Sequence, residues 1–206
     1  AQETSPRTMY PQLAWSWDMI QWTRPNQRGP FIPIGDKGAW DSGVIVTARA
    51  PVIVGDKLYF YYGGCDKAHD EKRANGAIGL ATLRLDGFCS MRSQGGPGWL
   101  ITRREPMLEP SLLINARVFD GGSIRAELLD RKNRVVPGFS RDESATFTGD
   151  SVSWKLGWQT AEFKEQAKRK DYKIRFLLDR AELYSYLPTR LDPNEPDIAR
   201  FQSTGP

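Results

Sequence analysis

The sequence contains 206 residues, of which 39% are hydrophobic and 26% are charged, so it is expected to form one sizeable globular domain or two small ones. Its net charge at pH 7 is +4, because 29 Lys and Arg residues are scattered among 25 Asp and Glu residues. This weak clustering of positive charge argues against a nucleic-acid partner. No apolar run reaches the roughly 18–20 residues of a membrane-spanning helix, so no membrane partner is expected.

The composition is typical of an all-β protein. Seven Trp, seven Tyr and nine Phe residues accompany 19 Gly and 14 Pro residues, which suits many short strands joined by tight turns. Cys65 and Cys89 flank a predicted hairpin. They would pair in an oxidising compartment or stay as two ordinary thiols, and both interpretations remain open.

The first part of the chain reads as an antiparallel meander. Residues 13–16 and 22–24 predict a hairpin around a turn at 18–21, and the Pro- and Gly-rich residues 25–33 predict an irregular connection. Runs rich in β-branched and aromatic residues then predict four strands. These runs are residues 44–47, 51–54, 58–62 and 77–83.

Two glycine-containing pairs predict hairpin turns further along. Asp86-Gly87 lies between residues 83–85 and Phe88, and Gly121-Gly122 lies between two β-forming runs. The runs around the second pair are residues 112–118 and 123–129, and further strands are predicted at 152–156, 173–178 and 182–186. In 123–129 apolar and polar residues alternate, which indicates a sheet with one solvated face.

A change in composition to Ser, Gln, Gly and Pro after Met91 places a domain boundary near residue 95. We therefore predict a propeller-blade-like antiparallel sheet over residues 1–95 and a β-sandwich of the jelly-roll kind over residues 96–187. Residues 161–170 predict a short charged helix, and residues 188–206 predict an extended or disordered tail.

The residue types give little support for a catalytic triad or a metal site. His69 is the single histidine and no Gly-x-Ser-x-Gly motif occurs, which argues against a Ser-His-Asp triad. One His with two Cys is a poor match to a zinc site. His69 stands near Asp66 and Asp70, whose oxygens would suit Ca²⁺, while the alternative interpretation is a solvated charged loop without a cofactor.

Paired carboxylates are the catalytic class that the composition permits. Asp18, Asp41 and Asp66 each stand at a predicted strand end near aromatic residues. Sugar hydrolysis uses two carboxyl groups roughly 5–10 Å apart, and aromatic rings beside them would stack on sugar faces. For each residue, the alternative is a structural Asp that accepts hydrogen bonds from the amides of its own turn.

Four motifs, in their order along the chain, resemble the last part of the five-bladed β-propellers of glycoside hydrolase families 32, 43 and 130 and their bacterial relatives. The motifs are LAWSWDMIQW at 13–22, WDSG at 40–43, YYGGCD at 61–66 and IGLAT at 78–82. Four later motifs resemble the β-sandwich that follows the propeller in some relatives. They are GSIR at 122–125, PGFS at 137–140, GDSV at 149–152 and LYSY at 183–186.

The resemblance implies binding of a polysaccharide or oligosaccharide by a secreted or periplasmic protein. It places Asp41 and Asp66 at the central funnel of the propeller, in contact with sugar hydroxyls, with His69 nearby. An exposed aromatic platform is expected if the sandwich also binds sugar, with Trp99, Trp154, Trp158 and Tyr184 as its candidates. The carbohydrate-binding residues proposed from both parts are Asp18, Trp40, Asp41, Tyr62, Asp66, His69, Trp154 and Trp158.

The chain also departs from the family pattern. A five-bladed propeller needs roughly 300 residues, far more than residues 1–95 supply, and Met19 stands where the family has Gly. We therefore expect a fragment or shortened relative that lacks a complete catalytic pair and serves as a carbohydrate-binding or accessory module. One alternative is a small glycosidase that uses Asp41 and Asp66 as its pair. Another is a structural module that self-associates through open sheet edges.

Overall fold

The protein is built from antiparallel β-sheets. The computed structural model describes residues 7–72, 74–93, 95–107, 109–159 and 171–188, and within these it contains ten strands and no α-helix. The predicted all-β fold is therefore confirmed. The chain divides into two compact units, Ala1–Leu85 and Asp86–Pro206. The helix predicted at 161–170 and the tail predicted beyond residue 188 lie outside the described residues.

The first unit is organised around one central strand. Its strands are β1 (Val44–Thr47), β2 (Val52–Val54), β3 (Lys57–Cys65) and β4 (Gly76–Arg84). The central strand β3 pairs with β2 and β1 on one side and with the whole of β4 on the other. Before the sheet, a small hairpin is joined by paired hydrogen bonds between Trp15 and Thr23, and a 3₁₀ turn spans Asn26–Arg28.

The two faces of this sheet differ in their cover. On one face Ile45 and Leu58 are buried together with Ile32, which precedes the sheet. The opposite face carries Val46, Tyr61, Ile78 and Leu80, all of them exposed. The strand register places Val46 beside Gly63 and Gly63 beside Ile78, so these apolar side chains share one surface. We call it the open face.

The second unit is a six-stranded sheet built on two unusually long strands. Its strands are β5 (Met91–Arg92), β6 (Gly98–Ile101), β7 (Glu105–Pro106), β8 (Ser111–Leu129), β9 (Asp150–Gly157) and β10 (Asp171–Pro188). Strand β10 pairs with β8 along nearly its whole length and with β5, β6 and β7 on its other side. Strand β9 pairs with the first half of β8.

One apolar core serves both halves of the long strands. Ile114 from the first half of β8 and Leu128 from its second half belong to the same buried cluster, together with Phe176 of β10. The connection between β8 and β9 adds Phe139 and Phe147 to this cluster. Burial of so much apolar surface is the main stabilising term of the unit.

The structure corrects the hairpin predicted at Gly121-Gly122. Strand β8 continues without a break through both glycines, and the strands predicted at 173–178 and 182–186 are likewise one strand, β10. Gly121 has φ +69°, and a Cβ on Gly122 would lie 2.3 Å from the carbonyl oxygen of Asp179. The ladder shifts register opposite them, between Asp179 and Ala181. The glycines therefore allow a bend and a close approach within paired strands.

The hairpin predicted at Asp86-Gly87 is also wrong. Residues 85–88 form a turn, but the next strand, β5, pairs with β10 in the second unit. The amide of Leu85 donates to the carbonyl of Asp56, which ends the ladder of the first sheet. A local turn signal does not specify which strand the chain meets after the turn.

The bend yields a stability prediction. The substitution Gly122→Ala should reduce the free energy of unfolding of the second unit by about 2–3 kcal/mol, because the added methyl group meets main-chain atoms that cannot rotate away. Urea denaturation followed by tryptophan fluorescence measures the loss. The matched control is Gly149→Ala, whose Cβ would lie 3.6 Å from the Phe147 ring, an ordinary contact. This control should stay within about 0.5 kcal/mol of the parent.

Candidate functional site

An open groove of about 540 Å³ lies on the six-stranded sheet of the second unit. It combines one large aromatic ring with charged side chains from two elements. The residues that define it are Trp99, Leu177, Asp179, Arg125, Arg141 and Asp142. We call it the Trp99 groove.

The strand register explains why these side chains converge. Leu177 of β10 is opposite Trp99 of β6 on one side and Arg125 of β8 on the other. Directly opposed residues point to the same face of a sheet, so the three form a row across three strands. The Trp99 side chain is 67% exposed, whereas Phe176, the next residue to Leu177, is fully buried on the other face.

A second cross-strand row, formed by Arg175 and Glu127, lies beside Trp99 on the same face of the sheet. Arg175 lies opposite Glu127, and its Nη1 is 2.8 Å from the Glu127 Oε2. The Arg175 guanidinium lies 5.9 Å from the centroid of the Trp99 ring. Because Glu127 is buried and Arg175 is partly buried, this pair holds a cation in place beside the ring.

The polar side of the groove comes from β8 and from the irregular segment after it. Arg125 Nε donates to Thr146 Oγ1 at 2.8 Å. The Asp142 Oδ1 lies 3.9 Å from Arg125 Nη1 and 3.6 Å from Arg141 Nε. These long contacts between exposed side chains are weak, so the groups remain able to exchange partners with a ligand. The groove thus presents hydrogen-bond donors and acceptors next to an apolar ring.

The structure brings three of the predicted site residues together in the first unit. The Trp40 and Tyr62 rings stack with centroids 5.8 Å apart, and Tyr62 Oη donates to Asp41 Oδ2 at 2.9 Å. Partial burial, followed by the bond to Asp41, raises the pKa of Tyr62. A Cβ on Gly64 would lie 2.8 Å from both Trp40 and Asp41, so this glycine makes room for them. This constellation is tightly packed and internally hydrogen-bonded.

Asp66 and His69 take part in a different set of contacts. Asp66 accepts bonds from the backbone N–H of Asn75 at 2.9 Å and from its Nδ2 at 3.1 Å. The backbone N–H of His69 donates to the carbonyl oxygen of Arg7. The Arg7 Nη1 also lies 3.1 Å from the Asp70 Oδ2, in an ion pair. Among the described residues, no three His, Cys, Asp or Glu side chains cluster in a way that would hold a metal ion.

Asp18 lies in the turn of the small N-terminal hairpin. Its Oδ1 accepts from the backbone N–H of Gln21 at 2.8 Å and of Ile20 at 2.9 Å. These bonds, the one to Gln21 foremost, lower the pKa of Asp18. The hairpin also exposes tryptophans that we did not select from the sequence, because exposure depends on the packing around them. Trp17 is 82% exposed, and its ring lies 5.5 Å from that of Trp15.

The tryptophans proposed for the second unit have separate locations. Trp158 is only 6% exposed, and its Nε1 donates to the carbonyl of Ala126 at 3.1 Å. Its ring has no face open to a ligand, so it leaves the set of binding candidates. Trp154 is partly buried against Phe147, with ring centroids 4.9 Å apart. Trp99 is the platform candidate that lies in a groove.

The two cysteines are free thiols. The Cys65 Sγ lies 3.3 Å from the carbonyl oxygen of Lys67, to which it donates a weak hydrogen bond. No helix in the part of the chain that the structure describes is long and apolar enough to cross a membrane.

Comparison with known proteins adds no relative. Neither a family model, nor a curated protein, nor a solved structure matches this chain significantly.

The Asp66 contacts yield a pH prediction. The backbone N–H of Asn75, followed by its side chain, lowers the pKa of Asp66 from its usual value of 3.8. The ionised form therefore stabilises the loop above pH 3.8, and this contribution is lost as the pH falls through the lowered value. The substitution Asn75→Ala should raise the Asp66 pKa partway towards 3.8 in a carboxyl-detected NMR titration. The pKa of Asp18, held by other groups, is the internal control and should not move.

Proposed function

We propose that this protein is a carbohydrate-binding or accessory β module of a glycoside hydrolase-like protein, and that its ligand is an oligosaccharide or polysaccharide bound in the Trp99 groove. The observation that carries the proposal is the exposed Trp99 ring in the same groove as Arg125, Arg141 and Asp142. The finer architecture, a propeller-blade-like sheet followed by a β-sandwich, belongs to this proposal, as does a secreted or periplasmic location.

Sugar rings match the chemistry of the groove. A pyranose has an apolar C–H face that stacks on an indole ring, and a rim of hydroxyl groups that both donate and accept hydrogen bonds. Arg125 and Arg141 would donate to such hydroxyls, and Asp142 would accept from them. A volume of about 540 Å³ lies within the range of known small-ligand sites.

The groove is also pre-organised. Trp99, Leu177 and Arg125 stand in register on paired strands, and Thr146 fixes the Arg125 guanidinium. Side chains held on regular elements lose less conformational freedom on binding than side chains on loops. The groove therefore needs little rearrangement to accept a flat ring.

The small-glycosidase alternative has less support. Hydrolysis would need Asp41 and Asp66 as a facing pair, yet each carboxylate is already bonded within its own surroundings, to Tyr62 and to Asn75. Such contacts suit carboxylates that maintain loop geometry. We therefore place ligand binding in the second unit and assign no catalytic step to the first.

The proposal is tested with a glycan array followed by calorimetric titration of the best glycan. The substitution Trp99→Ala should weaken binding by about tenfold or more, equivalent to about 1.4 kcal/mol, because the stacking platform is removed. Arg141→Ala should weaken it less, because hydrogen bonds from exposed side chains contribute modestly.

The matched control is Trp17→Ala, which removes an exposed tryptophan from the other unit and should leave affinity unchanged. Equal affinity of the parent and Trp99→Ala proteins for every bound glycan would overturn the assignment of the groove. Loss of binding in the Trp17→Ala variant alone would move the site to the N-terminal hairpin.

A further inference from the structure

The outer edge of β4 is open. Strand β4 spans Gly76–Arg84, nine residues, and pairs with β3 on one side. No strand in the described part of the chain pairs with its other side. An open strand edge presents unpaired N–H and C=O groups to any chain that can add a further strand.

The alternation of hydrogen-bonded pairs along β4 identifies which residues direct their N–H and C=O groups to the open edge. The amide of Leu85 donates to Asp56, and the amide of Asp66 donates to Asn75, so residues 85 and 75 belong to hydrogen-bonded pairs of the β3–β4 ladder. Such pairs alternate along an antiparallel strand. The odd-numbered residues of β4 therefore bond to β3, and Ile78, Leu80 and Thr82 direct their N–H and C=O groups to the open edge.

The same residues present apolar side chains on the open face. Leu80 is opposite Tyr61, and Ile78 is opposite Gly63. Ile78 is 83% exposed, and a groove of about 460 Å³ lies beside it, lined by residues including Val46, Gly63 and Cys65. An added strand would thus gain main-chain hydrogen bonds and apolar contacts together.

We propose that the open edge of β4 pairs with β4 of a second copy of this chain, antiparallel about a two-fold axis near Leu80. Pairing of this kind joins even-numbered residues to even-numbered residues. These are the residues whose N–H and C=O groups point to the open edge. Leu80 then lies beside Leu80 of the second copy, and Ile78 lies opposite Thr82. The open faces of the two sheets become one continuous apolar surface.

The absence of charged residues along the open edge favours a second copy of this chain as its occupant. Residues near a two-fold axis meet their own copies, so a Lys or Glu there would repel itself, and natural open edges often carry such residues for that purpose. Residues 76–83 contain no charged residue and no proline. Arg84 is four residues from Leu80, which places the two arginines about 27 Å apart in the pair, well beyond the screening length of about 8 Å.

The size of the contact sets its strength. A strand of nine residues is about 30 Å long, and a strip about 10 Å wide along it covers about 300 Å². A stable interface buries about 800 Å² on each partner. The pairing is therefore expected to be weak and to appear as a dimer only as protein concentration rises.

The test is sedimentation velocity on the full chain over roughly a hundredfold range of concentration. The parent protein should shift from monomer to dimer. Leu80→Lys should raise the dimer dissociation constant at least about tenfold, because two ammonium groups would meet at the axis. Thr82→Lys, on the same edge, is a second variant in case the first fails to fold. The control is Val52→Lys, which adds the same charge on β2, on the same side of the sheet as Tyr61 but outside the groove, and should leave the dissociation constant unchanged.

Amide hydrogen exchange supplies an independent readout. The amides of Ile78, Leu80 and Thr82 should become protected as concentration rises, while those of Ala77, Gly79 and Ala81 stay protected throughout. A parent protein that remains monomeric would overturn the proposal. So would a dimer that tolerates both edge substitutions. A dimer that Val52→Lys disrupts equally would also overturn it, since this would mean packing of the sheet faces against each other.

Discussion

The fold of the second unit depends on the close approach of the backbones of β8 and β10. Where β8 and β10 bend together, the Gly122 Cα lies against the carbonyl groups of Asp179 and Arg180, which leaves no room for a side chain. Arg180 takes a positive φ of 44° at the same point, and the register of the ladder shifts by three residues there, from Asp179 opposite Ser123 to Ala181 opposite Val118. The bend lets both halves of each long strand contribute to one core. Beyond it, the row of Trp99, Leu177 and Arg125 is held on straight, paired strands.

The first unit uses glycine for another purpose. Gly64 and Gly35 leave space for the Trp40 and Asp41 side chains, so the positions of the ring and the carboxylate depend on missing Cβ atoms rather than on a bend. The result covers one face of the sheet and leaves the open face to solvent. A sheet of this size with a single covered face has a small core: among the described residues of this unit, the buried large apolar side chains are Ile32, Ile45 and Leu58. Another surface that covered the exposed apolar side chains of the open face would therefore stabilise the unit.

The sequence allowed good prediction wherever one local rule decided the structure. The strands of the first sheet and the turn at Asp18 follow from β propensity and from an Asp side chain that accepts bonds from nearby amides. The errors arose at Gly121-Gly122 and Asp86-Gly87, where a turn dipeptide has a long-range role. The alternation around Arg125 indicated a solvated face, but the positions of Arg141 and Asp142 depend on an irregular segment whose path no periodicity encodes. Exposure of Trp99 and burial of Trp158 could not be predicted either, because both depend on which distant residues pack against the ring.

Hydrogen bonding separates the residues that maintain structure from those that can bind a ligand. Asp18, Asp41 and Asp66 all accept bonds from neighbours within their own unit, and the pKa values of Asp18 and Asp66 are lowered by those bonds. A carboxylate in this condition has fewer lone pairs left to accept hydrogen bonds from a sugar. Within the described residues, the ion-pair contacts of Arg141 and Asp142 are long and join exposed side chains, so a hydroxyl group can replace those contacts at little cost. An aspartate near an aromatic ring is thus a weak sign of a binding site, and the stronger sign is hydrogen-bonding capacity that the fold itself leaves unused beside an exposed ring.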